Sequence, residues 1–244
     1  MLAVPRTPSL PADHPCASCD IRMRTFCSVL DAAELEKFRC QGSTARIEAG
    51  RPLFHQGDPA DVIFNLKKGS LRLYKLLSDG RRQVTGFLFP GAFLGLAVRD
   101  EHAFSAEAIE PVEVCRYTRQ RFDAFVEGHP LMERELYRIA AHELAVAREQ
   151  MVLLGRKTAV ERLATFLLSL LDRVREHEPG ADLIALPMNR LDIADYLGLT
   201  KETVSRVFTA FKTTGLIRLL ADDQVLVLDQ LRLEQVANGE VTFH

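Results

Sequence analysis

With 244 residues, 47% of them hydrophobic and 26% charged, the chain is long enough for two ordinary domains with a core each and does not have the composition of a disordered protein. Its 31 basic and 33 acidic side chains exclude a protein that coats nucleic acid by bulk charge, so any such contact must come from a local patch. No apolar run approaches the roughly 18 residues that cross a bilayer; the five cysteines, an odd number without a secretion signal ahead of them, point to a cytoplasmic chain whose thiols serve metal or redox chemistry.

The first fifteen residues carry four prolines and no hydrophobic period, the pattern of a mobile arm. Directly after it comes Cys16-x2-Cys19-x7-Cys27, three thiols within twelve residues. From about Ala45 to Tyr117 short apolar stretches alternate with glycines, as an antiparallel β-domain requires. Asp79-Gly80 between two β-rich runs predicts a tight hairpin, since glycine supplies the positive φ such turns need. Cys115 lies late in this region, where folding back would bring it beneath the first three. Four thiolates suit an iron-sulfur cluster and equally suit zinc, and the spacing alone also leaves unliganded thiols open. Cys40, in DAAELEKFRC, reads as a buried or idle thiol at the end of a short helix, with a substitute fourth ligand as its other reading; His14 reads as solvated.

After Pro130 a run without glycine or proline extends to Gly155 and predicts one helix of about 36 Å at 1.5 Å per residue. One stripe carries Leu136, Ile139, Ala140, Leu144, Ala147, Met151 and Leu154; a second, narrower one carries Ala141, Ala145, Arg148 and Val152. The two together could form one wide core-facing stripe; the expected reading places the first on the β-domain and the second on a twin helix, a seam of small residues and an arginine weak enough to switch. From Arg156 the order is helix, loop, short strand, two helices and a strand pair, that of a winged helix-turn-helix.

In NRLDIADYLGLTKETVSRVFTAFK, Gly198 permits the sharp turn and Thr200 caps the next helix. Val204, Val207, Phe208 and Phe211 form its inner stripe, leaving Glu202, Ser205, Arg206 and Thr209 outward. Arginine can bridge guanine O6 and N7, and glutamate can accept from the cytosine amino group. With Lys201, Lys212 and Arg218 nearby, the required basic patch is present. The chain contains no P-loop, nucleophile elbow or HExxH pair, so it does not read as an enzyme.

The chain resembles, over nearly its whole length, the CRP/FNR family of bacterial regulators: FLFPGAFLGL in the β-region, the long run after Pro130, and IADYLGLTKETVSR carry the likeness. The resemblance implies an α+β fold with an N-terminal antiparallel β-roll (a double-stranded β-helix, cupin-like), a long dimerisation helix and a C-terminal winged helix-turn-helix. The expected boundaries are 1–28 for arm and cysteines, 29–129 for the roll, 130–155 for the helix and 156–244 for the DNA-binding domain. Glu202, Ser205 and Arg206 match the E-x-x-S-R motif of the FNR branch, which implies a TTGAT half-site repeated as an inverted palindrome about one helical turn apart. Ser205 would read the outer T pairs, and Glu202 and Arg206 the G·C pair. Three clustered cysteines with a fourth in the roll resemble the FNR-type oxygen sensors and imply a [4Fe-4S] cluster on Cys16, Cys19, Cys27 and Cys115. Its intact form would favour the homodimer and DNA binding, and oxygen would release both.

A partner in RNA polymerase is implied, with the Ser78 to Arg81 tip as one candidate surface. Structural zinc, redox-active thiols or another effector form the alternative to the cluster. Nucleotide-binding members of the family carry a Glu and an Arg where Leu96 and Phe104 stand here, so no cyclic nucleotide is expected, because a buried phosphate needs a cation. His55 and His102 sit in no motif that supports heme. The acidic wing turn, Ala221-Asp222-Asp223-Gln224, departs from what phosphate contact requires.

Overall fold

The computed structural model describes residues 16–17, 19–95, 100–220 and 223–241. The proline-rich arm with His14, Leu96, and Ala221 and Asp222 of the wing turn lie outside them. The chain divides into two compact units, one of residues 1–75 and 85–145, the other of residues 76–84 and 146–244.

In the first unit, two single-turn helices (Arg22–Arg24 and Phe26–Val29) lead into helix α1 (Ala32–Cys40), which Asp31 and Glu34 close with a reciprocal capping box. Strands β1 (Gly42–Ile47), β2 (Pro52–Phe54), β3 (Val62–Lys68), β4 (Leu71–Leu76), β5 (Arg82–Leu88), β6 (Phe93–Leu94), β7 (Ser105–Ala108) and β8 (Val112–Thr118) follow. They form two four-stranded sheets, β1-β8-β3-β6 and β2-β7-β4-β5, the β-roll expected from sequence. The β4–β5 turn falls where Asp79-Gly80 predicted it, with Gly80 at φ 85°.

Period-2 alternation gives the first sheet two buried faces. Ala45, Ile47, Phe64, Leu66, Leu94, Val112 and Val114 face the interior of the roll. Ile63, Phe93, Cys115 and Tyr117 face outward, where the N-terminal segment covers them with Phe26, Leu35 and Phe38. Tyr117 stacks on Phe38 at 4.2 Å between centroids. Its ring lies so close over β1 that a Cβ at Gly42 would sit 2.2 Å from it.

Helix α2 (Arg119–Glu127) completes the outer core with Phe122 and Phe125, and α3 (Pro130–Arg156) follows. The sequence reading of α3 needs one correction. Met132 and Leu136 are buried and Ile139 half-buried, but residues 140–149 are all exposed, Leu144 at 52%, and Met151 is exposed at 72%. Leu154 at the far end is half-buried again, so the apolar stripe serves the protein's own core at its two ends and not between them.

The second unit contains α4 (Ala159–Arg175), β9 (Leu183–Ala185), α5 (Arg190–Leu197), α6 (Lys201–Thr213), β10 (Ile217–Leu219) and β11 (Gln224–Val227). It ends with α7 (Gln230–Ala237), a short helix the sequence reading did not anticipate. The strands order as β10-β11-β9. Leu163, Leu167 and Leu171 of α4, Ile193 and Leu197 of α5, and Val204 and Phe211 of α6 are all essentially inaccessible. Among the described residues no helix is long and apolar enough to cross a membrane.

Candidate functional site

The DNA-reading element is built from its caps outward. Asn189 starts α5, its Oδ1 accepting from the Leu191 and Asp192 N–H groups at 2.9 and 3.0 Å. Gly198 ends it in the left-handed region at φ 62°, where a β-carbon is disfavoured. Arg162 of α4 fixes that end: its guanidinium donates to the carbonyls of Leu197 (2.8 Å) and Leu154 (2.9 Å). Thr200 then caps α6, accepting from the Thr203 N–H at 3.1 Å. The inner stripe Val204, Val207, Phe208 and Phe211 is buried as expected.

Glu202, Ser205, Arg206, Thr209, Lys201 and Lys212 are all exposed, as is Thr200. Arg206 Nη2 rests 3.3 Å from Thr203 Oγ1, a long contact that leaves its fork available. Arg190 lies flat over Phe208, 3.4 Å from the ring centroid, and burial lowers its pKa, Asp223 opposing. Asp223, at the wing turn, takes φ 53°.

Sequence reasoning missed a further support. Arg82 at the β4–β5 tip, which falls in the second unit, reaches Asp192 Oδ1 at 2.7 Å and Asp195 Oδ2 at 2.6 Å, both on α5. Gln83 Nε2 donates to the Asp195 carbonyl at 2.6 Å. A separation of more than a hundred residues hides this from any local pattern.

The second constellation is the thiols. Cys16, Cys27 and Cys115 pack against the outer aromatic core. Cys27 is pushed up to about 12, chiefly by burial, with the Thr25 hydroxyl opposing and Cys16, Cys115 and Cys19 adding to it. Cys115 is pushed up to about 11 by burial, with Lys67 and Arg39 lowering it and Cys19 and Cys16 raising it. Cys16, Cys27 and Cys115 thus each lie within electrostatic reach of other thiols of the set, and Cys16 and Cys115 also of Lys67 and Arg39. Lys67 is ion-paired to Glu113 at 2.5 Å, and Arg39 is tied to the Gly42 carbonyl and Thr44 Oγ1. Cys40 stands apart, exposed at the end of α1. Among the described residues no three His, Cys, Asp or Glu side chains form a shell for a single metal ion.

The donor set fits a thiolate-bound cluster, and so does one orphan: Asn65 is 3% exposed and its Oδ1 has no hydrogen-bond partner. It sits directly across from Cys115 in the β3–β8 register.

Elsewhere in the roll, Phe104 is exposed at 41%, and Ser105 Oγ already accepts from the Gln56 N–H at 3.0 Å. His55 is exposed, whereas His102 is buried and stacked on Phe54 at 3.6 Å. The second helix stripe, Ala141, Ala145, Arg148 and Val152, is exposed throughout, and Leu144 and Met151 are exposed with it.

A β-roll, a long helix and a winged helix-turn-helix in one chain define a DNA-binding transcription regulator. The chain belongs to the CRP/FNR family, in its FNR/FixK branch. The cyclic nucleotide-binding domain profile matches residues 44–129 and the Crp-like helix-turn-helix profile residues 161–236. The nitrogen fixation regulation protein FixK of Bradyrhizobium diazoefficiens is 44% identical over 93% of this chain and 95% of its own. The transcriptional activator protein anr of Pseudomonas aeruginosa is 35% identical over 96% of each. The solved structure of FixK2 from Bradyrhizobium japonicum superposes with a TM-score of 0.75 at 37% identity, covering 80% of this chain and 96% of that one. These relatives are transcription regulators and not enzymes.

Proposed function

We propose that the chain is an oxygen-responsive transcription regulator that binds a TTGAT-type inverted repeat as a homodimer while a [4Fe-4S] cluster sits on Cys16, Cys19, Cys27 and Cys115. One observation carries the reading: three of the four thiols, Cys16, Cys27 and Cys115, share a single apolar core with Met132, Leu136 and Ile139, the first turns of α3. Whatever fixes the thiols therefore fixes the start of the helix whose middle, residues 140–149, is bare.

When bound, the cluster supplies an oxygen-labile tie among four thiolates. The chain's own residues do the rest. Cys16, Cys19 and Cys27 belong to the N-terminal cap and Cys115 to the sheet beneath it, so ligation pins cap to sheet. Leu136 and Ile139 take their position from that core, and Leu144, Arg148 and Met151 beyond them are presented to a second copy. Two α6 helices joined in this way engage both half-sites, and linkage multiplies the effective affinity. Glu202, Ser205 and Arg206 read the bases, while Lys201, Lys212, Thr200 and Thr209 anchor the backbone. The exposed Ser78–Arg81 tip is the surface offered to RNA polymerase. Phe104 and the engaged Ser105 support a roll that takes no cyclic nucleotide.

Purification without oxygen, followed by an absorption spectrum, iron and sulfide counts and binding to the TTGAT palindrome before and after air, tests this reading. Iron and sulfide in equal number, lost in air together with DNA binding, are expected. Bound zinc without sulfide, or unchanged binding in Cys27→Ala, overturns it.

A further inference from the structure

A complete cross-strand row runs over the sheet β1-β8-β3-β6: Thr44 opposite Cys115, Cys115 opposite Asn65, and Asn65 opposite Phe93. Directly opposed residues place their side chains on one face with Cβ atoms about 4.5–5.5 Å apart. Here that face is the outer one, beneath the N-terminal cysteines, since Phe93 and Cys115 both pack into the core that holds Cys16 and Cys27. Asn65 is the anomaly of the row. It is 3% exposed in a strand otherwise lined by Ile63, Phe64 and Leu66, and its Oδ1 is unpartnered.

A buried amide oxygen without a donor is destabilising, and an apolar residue of similar size would remove that cost. The arrangement makes sense if the neighbouring sulfur changes character. As a cluster ligand the Cys115 sulfur carries no proton and can only accept. The two ends of a carboxamide have nearly the same shape. Turned over, Asn65 would place N–H donors where the lone oxygen now stands, on the face it shares with the Cys115 sulfur.

We propose that Asn65 is a positioning residue of the thiol centre, its Nδ2–H donating to the Cys115 sulfur when that sulfur is a cluster ligand. The inference rests on the cluster reading above. Hydrogen bonds to ligand sulfurs hold the ligand in place and set the potential of the group it binds. Of the other members of the row, Thr44 is exposed on the far side of Cys115, its Oγ1 accepting from Arg39 at 3.2 Å, and Phe93 has no polar group.

The test compares the wild-type chain with Asn65→Leu and Asn65→Ser, each reconstituted anaerobically with iron and sulfide. In Asn65→Leu the half-life of the cluster absorbance under an iron chelator is expected to fall at least about tenfold, and its reduction potential to move negative. The apo-protein is expected to melt at an unchanged or higher temperature, which a merely structural asparagine would not show. Asn65→Ser, which keeps a donor, should fall between the two and serves if the leucine variant does not fold. Unchanged half-life and potential in both variants, with the wild type loaded, overturn the proposal; a wild type that takes up no iron and sulfide defeats instead the cluster reading on which it rests.

Discussion

Arg82 holds Asp192 by an ion pair of 2.7 Å in which the carboxylate is 1% exposed and the guanidinium 21%. A carboxylate so deeply placed in the first turn of α5 needs its partner, because removing one member of a buried pair leaves the other unpaired in a poor solvent. Arg82→Met is expected to lower unfolding stability by about 3 kcal/mol. A cycle with Asp192→Leu should show strong coupling, the double variant recovering most of the loss. Denaturant melts of the four proteins check this, and additive losses would deny the pair its role.

On α6 the two kinds of DNA contact should separate in their salt behaviour. Arg206→Ala is expected to cost about 1–3 kcal/mol on the TTGAT palindrome and to relax preference at the G·C pair. Lys212→Ala should weaken binding to all sequences alike and reduce the salt slope by about 1. Titrations at several salt concentrations on matched and altered sites distinguish them.

The exposed reach of α3 gives a third prediction. Leu144→Glu places a charge at the middle of the bare stripe, and should raise the dimer dissociation constant by about 2 kcal/mol or more, roughly 30-fold. Thermal stability of the separate chain should not change, since Leu144 is already exposed at 52%. Sedimentation across a concentration range reads both species.

His102 makes the roll sensitive to acid. It is 8% exposed and stacked on Phe54; burial, chiefly, and Arg119 hold its pKa below the usual histidine range, with Asp58 opposing. The unfolded chain takes up a proton near pH 6.5, and the folded chain only at lower pH. The contribution is therefore fully present above about pH 6.5 and declines as the pH falls below it, levelling off once the folded histidine is also protonated. His102→Leu should flatten this part of the stability profile measured by urea unfolding between pH 7 and pH 5.

Much of this architecture is legible because burial repeats at fixed periods. The stripe Val204, Val207, Phe208, Phe211 announces α6, and Gly198 with Thr200 marks its boundary. Periodicity cannot say which molecule covers a stripe. Leu144 and Met151 continue the pattern of Leu136 and Ile139 without a break, so the sequence assigns them to the chain's own core and the structure leaves them in solvent. Helix α7, eight residues starting at Gln230, escaped because the equally short α5 is announced by the Gly198 turn and the α6 stripe that follow it, whereas no second stripe follows α7. Arg82 and Asp192 are joined only by topology, and Asn65, inside VIFNLKK, reads in sequence as nothing more than a polar interruption of a strand.

The cap over the outer face of the roll is made early and completed late. Phe26, Phe38 and the first three cysteines leave the ribosome well before β8, which supplies Tyr117 and Cys115 to the same core. At about 5–20 residues per second, several seconds pass in which Cys16, Cys19 and Cys27 belong to a nascent segment with no sheet to lie on. During that interval the three thiols can react before Cys115 is there to join them.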